Sequence, residues 1–146
     1  MMGVFFLILI ALLGGAAITL QAQFMGLMDI GIGTRESVFI TYASGGLIVT
    51  IFMLFMRGGN LRAATTVPWY ALTAGLLGLL IVGTIGYAVP RLGLTTALTL
   101  VVAAQFVASA LIDTFGWFGA PARTFDWTRL LGLGILILGV WLTTRK

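Results

Sequence analysis

Cysteine and histidine are absent from this chain, acidic residues number four, and charged residues of either sign make up only 8% of it. Without cysteine there is no disulfide and no thiolate metal site, and without histidine the commonest metal ligand and proton relay near neutral pH is missing. Any titrating step therefore falls to Asp29, Glu36, Asp113 or Asp126, apart from the chain termini. The same absences remove a Ser-His pair, a Cys nucleophile and an HExxH zinc motif, and no glycine-rich phosphate loop ends in Lys. No enzyme, no metal and no cofactor is expected. A water-facing surface needs roughly a quarter of its residues charged, so the shortage of charge also excludes an ordinary soluble domain.

What the chain has in abundance is apolar length: 60% of its 146 residues are hydrophobic, and the mean hydropathy is +1.15. A helix crossing the hydrocarbon core needs about 20 residues, each contributing about 1.5 Å. Five segments qualify, over about 3–25, 36–56, 66–89, 92–117 and 127–144. They predict an all-α integral membrane protein, one five-helix domain spanning 1–146. The connections carry breakers: Gly26, Gly31 and Gly33, then Gly58-Gly59-Asn60, then Gly119 with Pro121. Pro90 separates the third and fourth helices with almost no loop. Thr34 and Asp126 are the predicted N-caps of the second and fifth helices. The first segment resembles a secretory signal in its apolar run, but no Lys or Arg precedes it and four more apolar segments follow, so it is expected to stay.

The eight basic residues mark the ends of these segments singly. A pI near 10.4 would suggest nucleic acid in a soluble protein, whereas dispersed cations read as headgroup anchors, and no nucleic-acid partner is expected. With the N-terminus on one side, five crossings leave Arg57, Arg62, Arg123 and Arg129 there and Arg35, Arg91, Arg145 and Lys146 on the other. Membrane proteins orient by an excess of Lys and Arg in cytoplasmic loops. An even split removes that bias, so the chain is expected to insert both ways and pair with an inverted copy of itself or a homologous subunit.

Polar residues inside the spans are the candidates for function. On a wheel of 100° per residue, Thr95, Thr99, Gln105, Ser109, Asp113 and Gly116 fall within about 120°, opposite an apolar face of Leu100, Ala103, Ala104, Val107 and Leu111. Such a stripe lines either a wet cavity or a polar helix contact. Asp113 lies two turns past Gln105, roughly 12 Å along the axis, and its carboxylate is disfavoured at a helix C-terminus. It is either paired with Arg57, Arg62, Arg123 or Arg129 or serves as a cation or proton site. Glu36 opens the second helix, where the dipole favours it, and is the second cation or proton candidate. Gln21 shares a face with Gly14, and Tyr87 is suited to the interface. With Gln105 and Ser109 they form the expected substrate contacts.

Tyr87, Pro90-Arg91-Leu92-Gly93, Gln105, Asp113 and Gly116, with Gln21 and Gln23 ending the first helix and Arg129 and Gly132 opening the fifth, resemble the YdcZ-like family of the drug/metabolite transporter superfamily. The likeness runs along essentially the whole chain, with Phe24 and Met25 where the family carries an Asn. It implies a five-helix half of a ten-helix fold whose halves are related by inverted topology, working as an antiparallel dimer in the bacterial inner membrane. It further implies secondary transport of a small organic solute, metabolite or drug by alternating access, with export the expected direction. A non-transporting membrane subunit and a passive channel are the alternatives.

Overall fold

A computed structural model describes residues 2–122 and 126–145. Two of the basic residues counted for orientation, Arg123 and Lys146, lie outside them. Among the described residues all regular structure is helical: α1 (Met2–Ile32), α2 (Thr34–Phe55), α3 (Ala74–Leu92), α4 (Leu94–Phe115) and α5 (Trp127–Thr144). Short 3₁₀ segments cover Leu61–Thr66, Trp69–Thr73 and Trp117–Gly119. Among the described residues five stretches are long and apolar enough to cross a bilayer: Gly3–Ile32, Thr34–Phe55, Trp69–Leu92, Leu94–Phe115 and Trp127–Thr144.

The helix ends differ from expectation in informative ways. α1 does not stop at residue 25; it runs through Gly26 and Gly31 to Ile32. In lipid a freed backbone group finds no water, which favours continuing the helix over breaking it. The break comes at Gly33, whose φ of 99° is open to glycine and strained for other residues. Gly33 also takes the N-cap position of α2 that Thr34 was expected to fill. Pro90 lies inside α3, two residues before its end, and the chain turns at Gly93 instead. The third span begins as 3₁₀ helix, because Pro68 excludes Val67 from the helical region, leaving it extended with ψ 151°. α4 is trimmed to Leu94–Phe115 by Gly93 and by Gly116 in the left-handed conformation. α5 matches its expected bounds, and Asp126 caps it as expected, accepting from the Thr128 N–H.

The chain forms two compact units, divided between Arg91 and Leu92. The first holds α1 to α3. Its core is Ala22, Met25, Ser37, Ile85 and Val89, all buried. Ser37 donates its hydroxyl to the Met25 carbonyl at 3.3 Å, tying α2 to α1. Gly26 lets α3 approach closely: a Cβ there would lie 2.9 Å from Val89 Cγ1. The other half of α1 has no such cover, and residues 3–21 are exposed. The second unit is α4 packed on α5, with Phe115 and Trp117 stacked at 5.1 Å where α4 ends.

Candidate functional site

The polar groups of the second unit gather where α4 ends and α5 begins. Asp113 is two residues from the end of α4 and Arg129 two from the start of α5, so an antiparallel packing brings them level. The guanidinium donates to the Asp113 carboxylate at 3.4 Å, and both side chains remain more than a third exposed. Ser109, one turn before Asp113, shares its face and donates its hydroxyl to the Gln105 carbonyl at 2.7 Å. That leaves the oxygen free to accept. Together Ser109, Asp113, Arg129 and Gly132 line a groove of about 200 Å³ whose other walls are Phe106, Ala110, Leu133 and Leu136. The groove is thus apolar with one ion pair on its rim.

Two grooves of the first unit carry expected solute contacts. Gln21 lines one of about 440 Å³ with Thr41, Tyr42, Gly45, Gly46, Val49 and Val82. Tyr87 lines another of about 450 Å³ with Thr34, Arg35 and Thr84 over Leu79, Leu80 and Gly83. Two of the expected substrate contacts, Gln21 and Tyr87, therefore belong to separate grooves, while Ser109 and Asp113 share one. Gln105 is exposed on α4 just outside that groove. Glu36 lies in the first turn of α2 with its carboxylate over Gly33. Among the described residues, no three carboxylates come together to hold a metal ion.

The sequence reading missed Asp29, which it left in a connection. α1 carries Asp29 on as part of the helix, four residues past Met25 and on the same buried face. Its side chain is only 5% exposed and receives Arg91 at 2.9 Å and the Thr34 hydroxyl. Arg91 also donates to the Tyr87 carbonyl at 2.6 Å and lies over the Tyr87 ring, 3.6 Å from its centroid. The cluster joins the ends of α1, α2 and α3. Its signal was present in the spacing of Ala22, Met25 and Asp29, legible only if the helix continues beyond Gly26. Outside the spans, the Asp126 carboxyl is held below its usual range by the Thr128 hydroxyl and then the Thr128 N–H.

Residues 6–142, which include every residue of these grooves, match the family described as “Putative inner membrane exporter, YdcZ”. The chain belongs to the YdcZ family. Inner membrane protein YdcZ of Escherichia coli (strain K12) is 26% identical over 104 residues, 69% of either chain. No solved structure matches. A YdcZ-family chain with five membrane-length helices is a multi-pass inner-membrane protein, and the family's description is one of transport.

Proposed function

We propose that this chain is a secondary-active exporter of a small organic solute, metabolite or drug, working by alternating access as one half of an antiparallel dimer. The observation that carries the reading is the groove between α4 and α5. Asp113, Ser109 and Arg129 open onto it from membrane-length helices, where lipid offers no hydrogen bonds to exposed charge. Something polar must cover them: water, solute, or a second chain. Exposed Gln105 and the groove-lining Gln21 add to that demand.

An inverted second copy answers it because the basic residues give no orientational bias, and an odd number of spans would also invert a second copy fused directly in series. Asp113 and Glu36 carry the coupling cation or proton. Gln21, Tyr87, Gln105 and Ser109 contact solute. The ion pair also suits a purely structural subunit, and flux separates the two.

The test uses the chain's freedom from cysteine. Asn60→Cys and Thr144→Cys keep the count of basic residues and report opposite sides. Labelling in intact cells with an impermeant thiol reagent should modify a fraction of each variant. Vesicles holding the purified chain should then show saturable, counter-solute-stimulated flux for some member of a panel of organic solutes, lost in Asp113→Asn. Labelling of one variant alone would remove the dual-orientation dimer, and the absence of any saturable flux would remove the transporter.

A further inference from the structure

The Asp113–Arg129 pair is set against the fields of both its helices. Asp113 lies in the last turn of α4, where unpaired carbonyls carry partial negative charge, and Arg129 in the first turn of α5, where N–H groups carry partial positive charge. Each is disfavoured by its own helix and held by the other, at a loose 3.4 Å. Among the described residues few other charges lie near them. Asp126 on the connection accepts from Thr128 and attracts Arg129 more weakly, and Arg145, just past the far end of α5, lies over Trp141. The Trp117–Gly119 turn, which also packs on α4, brings no titratable group.

Neutralising Asp113 tips this balance. The guanidinium then keeps only the weaker attraction of Asp126, sits beside the positive end of α5, and faces apolar walls near which attraction between charges exceeds that in water. Its planar fork matches a carboxylate with two parallel hydrogen bonds.

We propose that this groove binds an organic monocarboxylate on Arg129 together with one proton on Asp113. The proposal rests on the transporter reading above and narrows its solute to a weak organic acid. Solvent supplies the proton to an Asp113 carboxylate oxygen, the ion pair opens, and the solute carboxylate takes the vacated place, with Phe106, Leu133 and Leu136 receiving its apolar body. No covalent bond changes beyond that protonation. The empty groove holds Asp113 ionised and Arg129 charged; the loaded groove holds neutral Asp113, charged Arg129 and the carboxylate. Both sum to zero, so either state can be covered without taking net charge out of water. A carboxylate arriving without its proton would leave a net negative charge, and an organic cation would meet the guanidinium. What crosses is acid plus proton, so the gradient of the acid and that of the proton are coupled.

Three probes of nearly one shape separate charge from fit: benzoate, benzyl alcohol and benzylammonium. Each is titrated calorimetrically against the purified full-length chain at pH 5.5 and pH 8. Benzoate should bind about tenfold or more tightly at the lower pH, with uptake of about one proton per benzoate read from buffers of different ionisation enthalpy. Benzylammonium should not compete. Asp113→Asn should hold benzoate at its low-pH strength at both pH values, and Arg129→Gln should abolish binding. The proton count is measured on the unaltered chain and stands even if a variant fails to fold. Benzylammonium binding above benzoate, benzoate binding without proton uptake, or no binding of any probe overturns the proposal. Saturable flux of another solute with no benzoate binding rejects the acid and keeps the transporter, whereas benzoate binding with no flux of any solute does the reverse.

Discussion

Asp29 and Asp113 each sit within one turn of a helix C-terminus and each is held by an arginine, yet the two pairs are built for different ends. Asp29 is nearly enclosed, its partner Arg91 stands at 2.9 Å, and the Thr34 hydroxyl completes its bonds. Its neighbours also correct its position, because Thr34 opens α2, whose N-terminal dipole favours a negative charge, and Arg91 ends α3, whose C-terminal dipole favours a positive one. Asp113 has less of this. Among the described residues Arg129 is its one recorded partner, both side chains are partly exposed, and each is opposed by the dipole of its own helix. A charge pair whose carboxylate is enclosed and agrees with its helices fixes them in place. One that is open and opposed by them is available for exchange.

The sharpest way to break this contrast is to remove each arginine in turn. Arg91→Met leaves a carboxylate only 5% exposed with a hydroxyl and no cation, and a buried charge left without its counter-charge is destabilising. The melting midpoint of the detergent-solubilised chain should fall by several degrees or more. Arg129→Met should barely move it, since exposed pairs contribute little. Equal losses would dissolve the distinction between the two pairs.

Glycines sharpen it next. A Cβ at Gly26 would lie 2.9 Å from Val89 Cγ1, and a β-branched side chain has no free rotamer into which to retreat. Gly26→Ala should cost about 1–3 kcal/mol by overpacking. Gly132, beside the ion pair of the second unit, has nothing within 4 Å. Gly132→Ala should instead stabilise by up to about 1 kcal/mol, the helix propensity gained. Chemical unfolding of the two variants in the same detergent measures both, and a loss at Gly132 would mean that the groove is closer packed than it looks.

The same contrast explains what was legible in the residues. Five spans follow from apolar length, and α5 begins where Asp126 says it should. The stripe of α4 put Ser109 and Asp113 on one face because helical phase is local, and Arg129 was among the partners open to Asp113. The Asp29–Arg91 pair was not legible: its members are 62 residues apart, and the glycines at 26 and 31 suggested that the helix had already ended. Glycine propensity was read as if water stood ready to take the freed backbone groups. In lipid it does not, so Gly26 serves close packing and the true break waits for the positive φ of Gly33. Only the tertiary contact between α1 and α3 explains why that helix carries a carboxylate so far.

A smaller effect tests the opposition between the second pair and its helices. Exchanging the charges, Asp113→Arg with Arg129→Asp, keeps the pair but places each charge where its dipole favours it. Stability should rise by about 0.3–1 kcal/mol at each helix end, while benzoate affinity should be lost because the guanidinium leaves the positive end of α5. The exchanged chain is measured in the same unfolding assay as the glycine variants. No gain would mean that the fields at these ends are screened and that the open pair owes its looseness to exposure alone.

The smallest effect concerns the turn that carries Arg129. Asp126 caps it, and because the Thr128 hydroxyl and N–H favour the ionised carboxylate, the folded group titrates below its unfolded value. The sign follows: the cap's contribution is whole above about pH 4, the ordinary carboxylate range, and is lost as the pH falls through the lower folded value. Acid should therefore loosen the first turn of α5 before it touches the Arg91 end of α3. Hydrogen-exchange protection at residues 128–130, corrected for intrinsic rate, should hold down to about pH 4 and drop below it, and Asp126→Asn should flatten the change. If protection at Arg91 falls in step, the two ends share one acid-sensitive structure, and the independence of the second pair from the first is lost.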